Sequence, residues 1–265
     1  MVPRPLGRTG LAVSPIGLGT TKLGRNTNVK YPKPFALPSD EQVAELLETT
    51  LRLGVNLIDT APAYGESERR LGSFAESHRD RLVLCTKCGE KYAKGRSTFN
   101  FSASVIVASA EESLRRLKTD CIDILLLHSD GRDVEILTRT DAVEGLGRLK
   151  KSGKVRAVGI SAKTPAGILE ACRTLDVVMA PFSQKEPLLA EALGKAHEAG
   201  LGVLAIKGLF SGRLDARPAI EFVLRQPFID ALIVGTIDPA HLNEAVAIAD
   251  RSLNPKSKIQ NPKST

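Results

Sequence analysis

No tryptophan occurs in this chain of 265 residues, and aromatic side chains of all kinds make up only 4% of it. Large rings line pockets for steroids and polycyclic compounds, so that class of ligand is disfavoured. No run approaches the ~20 apolar residues of a membrane helix, and the opening MVPRPLGRTGLAVSPIGLGT lacks the continuous apolar stretch of a secretory leader. Cysteine is sparse as well, at four residues, which without a leader points to a reducing compartment. The expectation is a cytoplasmic protein with no membrane partner, and the sequon Asn100-Phe101-Ser102 then has no glycosylation meaning. Cys85-Thr-Lys-Cys88 has a metal-type spacing, but Cys121 and Cys172 make no second pair. Residues three apart on a strand face opposite ways, with Cys85 inward and Cys88 outward, so no metal site is expected.

Nucleotide fingerprints are missing too. The first Gly-rich turn, GLGTTKLG, lacks G-x-G-x-x-G spacing, and GRLKKSGK at Gly147 is one residue too long for a phosphate loop. The formal charge of +7 raises the question of nucleic acid, yet Arg251, Lys256, Lys258 and Lys263 lie in a tail without acids, and removing these four leaves +3. Neither stacking aromatics nor a recognised motif accompanies the charge, so no nucleic-acid partner is expected. Residues 251–265 read as a basic, disordered extension of a single domain spanning 1–250.

What is present is a regular alternation of short apolar runs and amphipathic segments. Strands are expected at Ile16–Gly19, Val55–Asp59, Leu82–Lys87, Ile122–His128, Val155–Ser161, Val177–Met179, Gly202–Lys207 and Ala231–Gly235, each followed by a helical pattern. Ser39-Asp-Glu-Gln42 reads as a capping box. Thr140, Thr164 and Asp238 fall at N-caps, Pro165, Pro187 and Pro239 in first turns, and Gly54, Gly153 and Gly200 at helix ends. Eight such units imply an α/β fold, a closed (β/α)8 TIM barrel, and RPLGRTGLAVS ahead of them reads as an N-terminal β-hairpin that plugs its bottom.

In such a barrel, chemistry sits at the C-terminal ends of the strands. Three consecutive strands end on ionisable groups, Asp59 in VNLID, Lys87 in RLVLCTK and His128 in IDILLLH, and Tyr64 follows Asp59 by five residues. Period-2 alternation lets Asp59, Leu57 and Val55 share the inward face with Lys87, Cys85, Val83, His128, Leu126 and Ile124. A phenol near pKa about 10 is a poor proton donor at neutral pH. A cation about 4 Å away at an effective dielectric of ~20 contributes about 4 kcal/mol, up to roughly three pKa units. Lys87 is therefore expected to bring Tyr64 into working range, with Asp59 keeping Lys87 charged and His128 hydrogen-bonding a substrate oxygen. Such a set protonates a carbonyl oxygen while carbon is attacked, or runs the reverse on an alcohol. No side chain supplies the attacking group, so a hydride cofactor is implied.

These residues resemble the aldo-keto reductases. The likeness runs to about Ala249 and rests on LGRTGLAVSPIGLGT, GVNLIDTAPAYGESERRLG, the TK of LVLCTKCG, ESLRRLKTDCIDILLLH and KVRAVGIS. It implies a catalytic tetrad of Asp59, Tyr64, Lys87 and His128, and NADP(H) bound without a Rossmann domain, with NAD(H) as the alternative. Cofactor contacts carried over are Gly19, Thr20, Asp59 and Ser161, then Lys207, Leu209, Ser211 and Gly212 of AIKGLFSGRL, then Gly235, Thr236, His241 and Glu244 of VGTIDPAHLNEA. The chain departs from the family pattern at Ala162, Met179 and Ile206, where asparagine, glutamine and a stacking tyrosine are usual. It departs again at Gly235 and His241, where a lysine and the arginine that grips the 2′-phosphate commonly stand.

The loop CGEKYAKGRSTFNFS offers Tyr92, Phe99 and Phe101 as substrate-pocket wall and resembles that of sugar 1-dehydrogenases of the same family. TTKLGRNTNVKYPKPFALPS carries Lys22, Arg25, Lys30 and Lys33; it reads as a solvated surface loop, with closure over the site on an anionic ligand as the alternative. The expected activity is NADP(H)-dependent oxidoreduction of a small polar carbonyl compound or an aldose, by a monomer or weak homo-oligomer. A cofactor-binding regulatory subunit of the same fold is the other reading.

Overall fold

The computed structural model describes residues 1–253. Two short strands, β1 (Arg4–Pro5) and β2 (Ala12–Val13), pair antiparallel ahead of the main sheet. The first four strands of that sheet are β3 (Ile16–Gly19), β4 (Leu57–Asp59), β5 (Val83–Cys88) and, after a second hairpin of β6 (Glu90–Ala93) with β7 (Arg96–Phe99), β8 (Ile122–His128). The other four are β9 (Val155–Ser161), β10 (Val177–Pro181), β11 (Gly202–Ile206) and β12 (Ala231–Gly235). All eight run parallel and close into a barrel, with β12 pairing back onto β3.

Helices return the chain between strands. After β3 come α1 (Thr21–Gly24) and α2 (Asp40–Arg52), after β4 α3 (Ser67–Ser77), and after β5 and its hairpin α4 (Ala103–Leu117). The pair α5 (Asp133–Arg139) and α6 (Ala142–Lys151) follows β8, and α7 (Pro165–Ala171), α8 (Ala190–Glu198), α9 (Ala216–Leu224) and α10 (Pro239–Leu253) follow β9 to β12. Strands covered on both faces must be apolar throughout, which is why these segments read as continuous runs. Their alternation splits the core in two. Leu57, Val83, Cys85, Ile124 and Leu126 pack inside the barrel, while Ile58, Leu84, Cys88, Leu125 and Leu127 pack against the helices. Val55 falls with the outer group, because β4 begins only at Leu57.

Local signals account for most boundaries. Ser39 and Gln42 make the reciprocal capping box of α2, and the Thr164 side chain accepts from Gly167 N with Pro165 in the first turn of α7. Gly54, Gly153 and Gly200 stop helices with φ of 74°, 77° and 84°. Two expectations need correction. Pro187 lies ahead of α8, which starts at Ala190, and Thr140 sits at the break between α5 and α6, where its hydroxyl accepts from Ala142 N at 3.2 Å.

The N-terminal hairpin plugs the barrel, since Leu6, Leu11 and Val13 belong to the inner cluster. Gly7 at its turn has φ +46°, and a Cβ there would stand 2.3 Å from Gly202 N, so only glycine fits. Arg4 Nε donates to Asp230 O at 2.5 Å and ties the hairpin to the start of β12. At the other end of the chain α10 continues through Leu253, and the remainder of the expected basic tail lies outside the described residues.

Candidate active site

Asp59, Lys87 and His128 end or nearly end adjacent strands, and register sets their relative heights. Asp59 pairs with Cys85, Lys87 with Leu126, and His128 with Ser161. Lys87 is buried at 1% side-chain exposure, its Nζ donating to Asp59 Oδ1 at 2.5 Å and to Thr60 O at 2.9 Å. The same Nζ lies 4.8 Å from the centre of the Tyr64 ring, and the Tyr64 and His128 rings meet edge to face at 6.1 Å. A short 3-10 turn, Pro62–Tyr64, delivers the phenol to this place, closed by Gly65 at φ 62°.

Electrostatics in the cluster follow from burial. Burial works against the Lys87 ammonium, yet Asp59, Tyr64 and Cys85 outweigh it and the lysine is held charged, above its ordinary value. Tyr64 goes the other way from the expectation. Burial pushes the phenol up, Lys87 opposes and Asp59 adds to the rise, and the net direction is upward. Lys87 does not bring Tyr64 below its ordinary value, because burial of the phenol outweighs the lysine's field and Asp59 adds to the rise. Cys85 is buried beside the pair with its thiol well above its ordinary value, chiefly by burial, so it stays neutral and unreactive.

One charged neighbour was not read from sequence. Glu90, the first residue of β6, places Oε2 2.7 Å from His128 Nδ1 and accepts from Ser97 Oγ at 2.5 Å. An alternating segment around a two-residue Lys94-Gly95 turn, both at positive φ, was the available signal for the hairpin.

The cofactor residues carried over from the resemblance fall in two groups. Lys207, Leu209, Ser211, Gly212, Gly235, Thr236, His241 and Glu244 all line one cavity of about 500 Å³. Gly19, Thr20, Asp59 and Ser161 lie instead on the barrel rim. Thr20 is held there by structure, its amide and hydroxyl both donating to Asp59 O at 2.9 Å. Along the cavity the backbone has positive φ at Lys207, Phe210, Ser211 and Gly212. The N–H groups of Gly208, Leu209 and Ser211 donate to no backbone carbonyl among the described residues, which suits a phosphate.

The loop after β3 is not a free surface loop. Lys22, Tyr31 and Lys33 line the same cavity, Lys22 Nζ sits 4.1 Å over the Tyr31 ring, and a Cβ on Gly235 would meet Tyr31 Oη at 2.8 Å. Arg213 Nη1 donates to Lys30 O at 3.2 Å, and Arg25 stacks 3.4 Å from the Tyr92 ring centre. The loop thereby spans from the segment after β11 to the hairpin after β5. Of the substrate candidates, Tyr92 and Phe99 line a second cavity, of about 860 Å³, which also reaches Pro62 and Glu90. Phe101 does not; it is buried beneath Gly89, where a Cβ would stand 2.6 Å from its ring.

The family model described as Aldo/keto reductase family matches residues 15–217. The chain belongs to the aldo-keto reductase family. It is 33% identical over 239 residues to an L-galactose dehydrogenase of Arabidopsis thaliana, covering 83% of this chain and 69% of that protein. An NADH-specific methylglyoxal reductase of Escherichia coli is 30% identical over 238 residues, covering 83% and 71%. Among solved structures, an aldo-keto reductase from Pseudomonas aeruginosa superposes with a TM-score of 0.88 at 43% identity, covering 95% of this chain and 96% of that one. Family membership and its oxidoreductase relatives support an oxidoreductase, and no helix among its described residues is long and apolar enough to cross a membrane.

Proposed function

We propose that this aldo-keto reductase is an NADP(H)-dependent, cytoplasmic oxidoreductase of small polar carbonyl compounds or aldoses, with Tyr64 as general acid and base. The observation that carries the reading is the buried Lys87–Asp59 pair, with its ammonium 4.8 Å from the Tyr64 ring. When bound, the dinucleotide supplies or takes up the hydride. A phenol raised by burial is protonated at neutral pH, which is the form an acid must have. It gives up its proton because an alkoxide forming on the substrate is a far stronger base, and Lys87 then stabilises the phenolate that remains. Asp59 keeps Lys87 charged throughout.

The 2′-phosphate preference rests on the cavity that the loop after β3 covers. Lys22, Lys33 and Lys207 line it against the single carboxylate of Glu244, and His241 stands at its exposed end. Partial burial, then the ammoniums of Lys30 and Lys163, hold Lys207 below its ordinary value, a repulsion that a bound phosphate would relieve. A sugar substrate is supported by the names of two relatives, the L-galactose dehydrogenase and a D-threo-aldose 1-dehydrogenase from a Pseudomonas species that is 30% identical over 233 residues.

The test is turnover on a panel of aldehydes and aldoses with NADPH or NADP, alongside fluorescence titration of the cofactor. Tyr64→Phe should lower kcat by about 10²- to 10⁴-fold, the usual worth of a positioned acid, with cofactor affinity unchanged. Cofactor binding without turnover on any member of the panel would instead favour a regulatory subunit.

A further inference from the structure

We propose that the Glu90 carboxylate holds His128 as the tautomer protonated at Nδ1, so that Nε2 meets a substrate oxygen as an acceptor when the ring is neutral and as a donor only when the ring is charged. The substrate clause rests on the function proposed above; the tautomer does not.

Glu90 can only accept. Its carboxylate is held down to about 2, since burial is outweighed by His128, Ser97 and Arg25, and an ionised carboxylate has no proton to give. With Oε2 2.7 Å from Nδ1, an unprotonated nitrogen would set a lone pair against a negative charge, so the contact favours the proton on Nδ1. The oxygen lies too far off the N–H direction for a full hydrogen bond, and Nδ1 has no hydrogen-bond partner among the described residues, so the preference comes from the charge of a carboxylate oxygen at 2.7 Å. Neutral imidazole has one N–H, and placing it on Nδ1 leaves Nε2 a bare acceptor.

The contact is built in rather than incidental. Glu90 and His128 side chains are 10% and 20% exposed. The Glu90–Phe99 and Tyr92–Ser97 pairings fix the hairpin, and Ser97 Oγ fixes the carboxylate. Facing the ring from the other elements are Lys87, Asp59 and Tyr64. Burial and Lys87 disfavour the imidazolium while Glu90 and Asp59 favour it, and the balance lies below the ordinary histidine value. At neutral pH His128 is therefore the Nδ1–H tautomer, suited to receive a substrate hydroxyl, and carbonyl reduction draws on the small charged fraction. Glu90 acts through His128 and is a positioning residue.

Long-range ¹H–¹⁵N correlation of the imidazoles reads the tautomer directly in the full-length protein. The chain has four histidines, and a His128→Gln variant assigns the signal. Expected at pH 7.5 is a pyrrole-type Nδ1 with a pyridine-type Nε2, and in Glu90→Gln a shift of population toward Nε2–H with the other three rings unchanged. The reverse pattern in the parent protein, or the same pattern in both proteins, overturns the proposal. With a panel substrate, kcat/KM for reduction should fall about tenfold per pH unit above the His128 pKa in the parent, and this limb should flatten in Glu90→Gln; an identical limb in both also overturns it. The expected tautomer in a chain that turns over nothing would count against the proposed function alone.

Discussion

Replacing Asp59 by asparagine removes the carboxylate and keeps the shape. Lys87 would retain only Thr60 O at 2.9 Å as a partner, in a place where its side chain is 1% exposed and that of Asp59 was 5%. Solvent therefore screens little, and stranding one member of a buried pair costs about 3–5 kcal/mol. The asparagine oxygen returns part of this, so about 3 kcal/mol is expected at pH 7, a large share of the 5–15 kcal/mol typical of a folded domain. The pH dependence separates this cause from a packing defect. In the parent, the folded-state pKa of Lys87 is raised, so its contribution is fully present below the unfolded value of about 10.4 and is lost only as pH rises through the folded one. In Asp59→Asn, burial without the counter-charge depresses the same pKa. The native state then sheds its proton first, and stability should rise by up to about 1.4 kcal/mol per pH unit between neutrality and about 10.4. Chemical denaturation of both proteins at pH 7, 8 and 9 measures the difference. A loss below about 1 kcal/mol, or a parallel pH trend in the two proteins, would refute the claim that Asp59 compensates a buried ammonium.

Gly7→Ala should destabilise by about 2–4 kcal/mol, read as a lowered denaturation midpoint, because the new methyl meets the Gly202 backbone at 2.3 Å and neither side can yield. Lys22→Ala with Lys33→Ala should weaken NADPH about tenfold more than NADH and flatten the salt dependence of NADPH titration, since both line the cavity assigned to the dinucleotide. Glu68→Gln removes the buried acceptor of Thr86 Oγ1 at 2.6 Å and Arg116 Nε at 2.7 Å, and should cost about 2–4 kcal/mol in urea unfolding while leaving KM unchanged.

The barrel was legible because each strand is doubly covered and three of the helices stop at a glycine of positive φ, Gly54, Gly153 and Gly200. The cluster of Asp59, Lys87 and His128 was legible for a related reason: an ionisable group at the end of an apolar run contradicts the run. Two features of this cluster escaped. Glu90 is one acid among many until the β6–β7 pairing carries it over the end of β8, and that pairing depends on a Lys-Gly turn far weaker as a signal than Asn-Gly. The direction of the Tyr64 shift escaped because sequence shows that a lysine and a carboxylate are near, but not how deeply the phenol is buried, and burial is the larger effect.

The plug bears on how the chain assembles. Arg4 reaches a carbonyl 226 positions away, Arg8 N donates to Gly200 O, and β3 finds its second neighbour only in β12. Residues synthesised early thus wait for nearly the whole polypeptide before their apolar sides are covered. Such distant pairing makes for slow folding and a long interval with sticky surface in the open. Truncation ahead of Asp230 would accordingly leave two raw sheet edges and a plug without its Asp230 anchor, and the product should aggregate instead of forming a smaller barrel.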